Sequence, residues 1–291
     1  MGMDYKILLI LAVFAFVPRA GMAFDWPANV TAKQKSQVLL QEVKNLKTLA
    51  LSAKSTKKNS AQAYMAVDLS NNKVLLKKNP DQVHSIASVT KLMNAVVVAE
   101  NIDGDKKITL TKKMLLPFGS SPTIFAGLNI SAKNLLQASL TQSVNDAAES
   151  LSFFLGKDKF VGLMNKKAKE LGMTKTVFAD TNGLNVLSRS TAADLGKLLD
   201  YVYKKHPDIL KMTKNNDFWL PDAKGQSYKF QNMNDFYSYA GFIGGKTGYL
   251  PEAGHSFAAL FEINKKPVAI VLLHSTNYQA DTFKIINQLK N

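Results

Sequence analysis

The sequence predicts a mixed α/β fold of the α+β kind, an antiparallel sheet built from both ends of the chain with a helical subdomain inserted between them. Three observations predict it. Apolar runs that read as strand hairpins stand just after residue 60 and again after residue 240. Segments of helical periodicity with start and stop signals fill most of the interval. The 291 residues, 46% of them hydrophobic, suffice to bury a full core. Strands first and last, with helices between, require a sheet whose members come from both ends.

In chain order, residues 1–6 are short and polar, "ILLILAVFAFV" is a compact apolar run, and "PRAGMA" ends in small residues with Gly21 and Ala23 placed for cleavage. Residues 1–23 therefore read as a secretory signal peptide, with the mature chain starting at about Phe24. The other reading is a retained anchor, for which the run is short, since a bilayer span takes about 20 apolar residues. Residues 24–60 hold an amphipathic helix, with Leu39, Val43, Leu46 and Ala50 on one face, and then the polar link "SAKSTKKNS". That face reads as packing on the main domain rather than on a membrane or partner.

The main domain is expected over 61–291, with its helical subdomain at about 105–215. "AYMAVDL" and "KVLLKK" flank Ser70-Asn71-Asn72 as a strand hairpin. "SVTKLMNAVVVAENI" reads as an apolar helix running to Gly104. Helices follow at 131–140, with Ser131 as cap, and at 145–155, after a break at Thr141 to Ser143. "DKFVGLMNKKAKELG" is a further helix, capped by Asp158 and closed by Gly172. "TAADLGKLLDYVYKKHP" is another, ending before Pro207. "DFWLP" and "QSYKFQN" read as short strands. "HSFAALFEINKKPVAIVLLHS" is a hairpin about the turn Asn264-Lys265-Lys266, and "TFKIINQLK" a closing helix.

Composition removes several classes of function. With no cysteine there is neither a disulfide framework nor thiol chemistry, as an exported protein without disulfides allows. The formal net charge is +15, yet Arg189 is the only arginine after the signal and no basic cluster is interleaved with aromatics. Nucleic-acid recognition, which favours bidentate arginine, is not indicated. Dispersed lysines read as a solvated surface, or as attraction to an anionic polymer. His84, His206, His255 and His274 are scattered without helical pairing, so no metal site is expected.

The stretch "AGFIGGKTGYL", Ala240 to Leu250, fits a relaxed phosphate-loop pattern, with Ala240 where the strict form has glycine. A phosphate loop must open a helix. Here Gly248, Pro251 and Gly254 follow, and then a hairpin, so Lys246 lies on or beside a strand and a nucleotide is not expected. A shared sheet brings Lys246 near Ser88 and Lys91, which stand three apart on one helical turn. A serine hydroxyl becomes a nucleophile when a base takes its proton, and lysine serves if burial or a second cation destabilises its ammonium. Ser-x-x-Lys, Ser143-Val144-Asn145 and Lys246-Thr247-Gly248 are each common alone. Their order and placement, at a helix start, in a helix–helix break and on a strand, make them specific together.

These motifs resemble those of the low-molecular-mass penicillin-binding proteins, the D-alanyl-D-alanine carboxypeptidase family of serine peptidases. The likeness runs from about Ala61 to the C-terminus, through "LLQASLTQSVNDAA", "MNKKAKELGMTKTVFADTNGLN", "STAADLGKLL" and "GGKTGYLPEAGHSFA". It implies the β-lactamase/transpeptidase-like fold. It also implies that Ser88 attacks the carbonyl of a penultimate D-alanine, Lys91 accepts its proton, and Ser143 relays a proton to the leaving amine. Asn145 would hold the substrate amide and contact Lys91, while Lys246 adds positive field. Thr247 would bind the terminal carboxylate, Gly248 would admit the substrate backbone, and the N–H groups of Ser88 and Tyr249 would hold the oxyanion. No cofactor is implied. The implied ligands are peptidoglycan peptides, with β-lactam antibiotics as covalent inhibitors.

Only a hairpin and one helix follow Lys-Thr-Gly, without the β-rich domain and membrane helix usual in the carboxypeptidases. This resembles the soluble endopeptidase branch, which cuts D-Ala–diaminopimelate crosslinks, and implies a periplasmic enzyme that is soluble or loosely associated with wall or membrane. The middle motif reads Ser-Val-Asn where relatives carry Gly, Glu or Asp at its centre. A carboxypeptidase that trims pentapeptide stems is the alternative. A class A β-lactamase would need Glu-x-x-Leu-Asn between Asn145 and Lys246, which is absent. A non-enzymatic wall-binding protein would carry a damaged motif set, and all three motifs are intact.

Overall fold

The computed structural model describes residues 59–116, 121–222 and 224–291. The expected signal and N-terminal helix lie outside the described residues. The chain opens with β1 (Ala63–Asp68) and β2 (Lys73–Lys78), then β3 (His84–Ser85) and a single 3-10 turn (Ala87–Val89) leading into α1 (Thr90–Asn101). Next come β4 (Lys107–Thr109), β5 (Asn129–Ser131), α2 (Ala132–Thr141), α3 (Asn145–Ser152), α4 (Lys157–Glu170) and β6 (Arg189–Ser190). After α5 (Ala192–Lys205), α6 (Pro207–Lys214), β7 (Phe218–Pro221) and β8 (Ser227–Phe230), the chain returns to the main sheet with β9 (Phe242–Leu250), β10 (Gly254–Ile263) and β11 (Lys266–Ser275). It closes with α7 (Tyr278–Lys290).

The sheet order is β2-β1-β11-β10-β9, and every pairing is antiparallel. The expected union of the two chain ends is the β1–β11 ladder, Ala63 opposite Leu273 and Asp68 opposite Val268. Because side chains alternate across a strand, β10 sends Phe257, Ala259 and Phe261 to one face and Ala258 and Leu260 to the other. The first face packs under α7 and the second under the helical body. Both faces are covered, which is why β10 and β11 read as almost unbroken apolar runs. Their turn is two residues long, Asn264 (φ 52°) and Lys265 (φ 61°), and Lys266 belongs to the strand rather than the turn.

At the centre of the helical body α1 is buried from Thr90 through Val98. Val96, Val97 and Val98 are indifferent helix formers, so packing on all sides stabilises this helix more than propensity does. Ser131 caps α2, accepting from the Asn134 N–H, as its sequence predicts. Three further expectations are corrected. Asp158 lies inside the first turn of α4, whose cap is Gly156 at φ 89°, so its carboxylate faces the helix dipole instead of capping it. The helix from Asn145 ends at Ser152, and Phe153 to Leu155 continue as turns. Pro207 does not merely end α5: it is the first residue of α6, where its missing N–H costs nothing. Among the described residues no helix is long and apolar enough to cross a membrane.

Candidate active site

The site forms where the turn before α1 meets the break between α2 and α3 and the outer edge of β9. Ser88 is half-buried in the turn Ala87–Val89, whose first residue holds a positive φ of 47°. Such a conformation in a residue with a side chain is strained and is maintained by its surroundings. One turn on, Lys91 is fully buried. Its Nζ lies 2.8 Å from Ser88 Oγ, 2.8 Å from Asn145 Oδ1 and 2.6 Å from the backbone oxygen of Asn182.

Asn145 reaches Lys91 because the chain breaks sharply between two helices. Gln142 ends α2, Ser143 takes φ 61°, and Val144 is extended, so that Asn145 opens α3 with its side chain turned to α1. The Met233 N–H donates to Thr141 O and ties this break to the segment before β9. Ser143 lines the same cleft as Ser88, Asn145, Thr247, Gly248 and Tyr249, a space of about 460 Å³.

β9 approaches the Ser88 turn backbone to backbone. A Cβ on Gly248 would stand 2.8 Å from Ser88 N and 2.9 Å from Ile86 O, closer than side chains tolerate. Gly245 donates its N–H to Thr213 Oγ1 and accepts from Asn234 Nδ2, both away from β10. By the alternation of a strand, the N–H groups of Thr247 and Tyr249 point the same way, into the cleft. Lys246 points the other way from Thr247. It is 2% exposed and donates to Thr247 O at 2.9 Å.

Both lysines are weak bases by position. Burial lowers Lys246 to about 7. Burial, and then the Lys246 cation, hold Lys91 well below the ordinary lysine value, with the Asp180 carboxylate opposing them. The arrangement can supply an uncharged amine at hydrogen-bond distance from a serine hydroxyl, beside two outward N–H donors.

All eight residues expected from sequence converge here. Sequence pattern marks no role for the segment 180–183, yet it supplies the third partner of Lys91 and forms one wall. Gly183, at φ 85°, passes so close to Ala87 that an added Cβ would lie 1.9 Å from its carbonyl oxygen. The glycine in "TNGLN" was the available signal for that close approach, whereas a backbone carbonyl such as that of Asn182 leaves no mark in sequence. Buried Glu149, bonded to Thr181 and Asn182, likewise carries no signal in the sequence.

Known proteins resemble this chain in both sequence and fold. The family described as D-alanyl-D-alanine carboxypeptidase matches residues 50–277. The D-alanyl-D-alanine endopeptidase of Escherichia coli strain K12 is 34% identical over 239 residues, 78% of this chain and 75% of that protein. Its namesake from Haemophilus influenzae is 32% identical, over 75% of this chain and 76% of its own. Penicillin-binding protein D2 of Listeria monocytogenes, solved with ampicillin bound, shares the fold at a TM-score of 0.70 and 31% identity, covering 81% of this chain and 99% of that one. With the family matched over most of its length and the three motifs brought to one cleft, the chain belongs to the D-alanyl-D-alanine carboxypeptidase family of serine peptidases.

Proposed function

We propose that this chain is a serine D,D-peptidase that hydrolyses D-alanine-containing peptidoglycan peptides through an acyl-enzyme, and that crosslinks between stems are its preferred substrate. The single observation that carries the reading is the 2.8 Å approach of a buried, weakly basic Lys91 amine to Ser88 Oγ. Lys91 takes the hydroxyl proton as Ser88 attacks the D-alanine carbonyl. The negative charge that develops on the carbonyl oxygen is held by the N–H groups of Ser88 and Tyr249. Ser143 passes a proton to the departing amine, the C–N bond breaks, and the acyl group stays on Ser88 until water hydrolyses the ester.

Asn145 orients both the substrate amide and Lys91. Thr247 binds the carboxylate beside the scissile bond, Lys246 adds positive field, and Gly248 lets the substrate backbone lie against β9. A terminal D-alanine and a crosslinked diaminopimelate both carry a carboxylate at that place, so the same residues serve a carboxypeptidase or an endopeptidase. The endopeptidase reading is supported by the names of the two curated relatives and by an open cleft whose rim carries exposed Leu184, Met233 and Tyr249. β-Lactams would acylate Ser88 and block the site. Export on residues 1–23 would place the enzyme in the periplasm, soluble or loosely held by its positive charge on an anionic wall or membrane.

Digesting purified crosslinked muropeptide dimers beside pentapeptide monomers tests the reading. Dimers converted to monomers at least as fast as pentapeptides are trimmed supports the endopeptidase. Strong preference for pentapeptides makes it a carboxypeptidase, and no cleavage of either overturns the peptidase assignment.

A further inference from the structure

We propose that Glu149 is a positioning residue for the general base, aiming the Lys91 amine at Ser88 through Thr181 and the backbone carbonyl of Asn182. The inference rests on the roles of Ser88 and Lys91 proposed above. A neutral amine has four tetrahedral directions: one to Cε, two to hydrogens and one to its lone pair. Around Lys91 Nζ stand three oxygens, and two of them, Asn145 Oδ1 and Asn182 O, can only accept. They take the two N–H bonds. The lone pair is left facing Ser88 Oγ, which is the direction from which the proton must come.

That aim depends on where the Asn182 carbonyl is held. On one side, Asn94, one turn after Lys91 on α1, donates to Thr181 O at 3.0 Å and to Ala148 O at 3.1 Å. On the other stands Glu149, 4% exposed and one turn after Asn145 on α3. Its Oε2 accepts from Thr181 Oγ1 at 2.6 Å and from Asn182 Nδ2 at 3.2 Å, while its Oε1 pairs with Lys157 at 2.5 Å. Each helix thus carries one group that touches Lys91 or Ser88 directly, and one that clamps the 181–182 segment.

An apolar side chain would pack α3 against this loop without the cost of burying a carboxylate. What the carboxylate adds is a fixed distance from α3 to the carbonyl that orients the base. Small misplacements of a reacting group can cost about 100-fold in rate.

The test is acylation of the full chain by a fluorescent penicillin, normalised to the titratable active-site fraction and followed across pH. Glu149→Ala is expected to lower the limiting acylation rate about 10- to 100-fold, with the half-saturating concentration changed by less than about twofold. Glu149→Gln keeps an acceptor oxygen for Thr181 and should recover most of the rate. Lys157→Ala, which spares the contacts to Thr181 and Asn182, should remain near wild type. The charged groups that bear on Lys91 are Lys246 from β9 and Asp180 from the 180–188 loop, and both remain in these variants. The plateau should therefore fall while the acid-limb midpoint stays.

Thr181→Val should reproduce the Glu149→Ala defect, and the double variant should be no worse than either; Thr181→Val carries the test if Glu149→Ala does not fold. A wild-type plateau in Thr181→Val or Glu149→Ala overturns the proposal. So does an equal loss in Lys157→Ala, or a moved midpoint at constant plateau. Ser88→Ala and Lys91→Ala in the same assay separate the levels: loss in these two with no loss in Glu149→Ala removes only the positioning role, whereas labelling retained in them removes the reading beneath it.

Discussion

Gly248 and Ser88 touch through their backbones: a Cβ on the glycine would lie 2.8 Å from the serine nitrogen. The strand that would hold the substrate is thereby set directly against the turn that carries the proposed nucleophile, Ser88. Gly248→Ala must push β9 and the Ser88 turn apart by a few tenths of an ångström. It should cost about 1–3 kcal/mol in stability and lower acylation by about 100-fold, because the proposed oxyanion donors, the N–H groups of Ser88 and Tyr249, would no longer share one centre. Thermal melting together with penicillin acylation checks both, and a folded variant that acylates at the wild-type rate would show that this contact is dispensable.

The acid limb of acylation should report the two buried lysines together. In the proposed mechanism Lys91 acts as base only when neutral, so protonating it with falling pH should remove activity. Burial and the Lys246 cation both depress its pKa, so the limb should lie well below the ordinary lysine value of 10.5. Lys246→Ala removes the second cation, and the midpoint should move to higher pH. Where two lysines interact this closely, an observed midpoint belongs to the pair rather than to one residue. An unmoved limb in Lys246→Ala would mean that Lys246 does not tune the base.

The same burial should make the site a stability deficit. Lys246 holds its proton up to 10.5 when unfolded and only to about 7 when folded. Between these values the unfolded chain binds one more proton, so stability falls as pH drops from 10.5 to 7 and is level below that. Lys246→Met should stabilise the protein near pH 7 by about 1–4 kcal/mol, with the gain shrinking as the pH approaches 10.5. Urea unfolding at several pH values measures it, and a gain independent of pH would assign the effect to packing alone.

Far from the cleft, Asp281 on α7 is buried and accepts from the Ser60 N–H and hydroxyl, the Ala61 N–H and the Ser275 hydroxyl. It fastens the entry to β1 onto the end of the chain. Asp281→Ala leaves those donors without an acceptor and should cost about 2–4 kcal/mol. Acylation per folded molecule should be unchanged. A loss of rate equal to that of Gly248→Ala would show coupling between this latch and the cleft.

Much of this architecture was legible because its signals are local. The hairpins carry turn residues between alternating strands, Ser131 caps a helix, and Ser88, Lys91, Ser143, Asn145 and Lys246 each sit in a short motif whose spacing fixes its geometry. What sequence did not reveal has no local signature. β3, β4, β5 and β6 are two or three residues long, too short to display a period. Pro207 reads as a stop and a start alike, and only packing shows that α6 begins there. The carbonyl of Asn182 is backbone and could belong to any residue, while Glu149 looks like a surface acid until the loop folds over it. The site's motifs were readable, and the scaffold that holds their side chains in place was not.

Peptide-resolved mass spectrometry of the protein after reaction with ampicillin bears most directly on whether Ser88 is the acylated nucleophile. One ring-opened adduct per chain is expected, located on Ser88, formed faster as the pH rises through the acid limb, and absent in Ser88→Ala. An adduct on any other residue, or one that persists in Ser88→Ala, would contradict the assignment of Ser88.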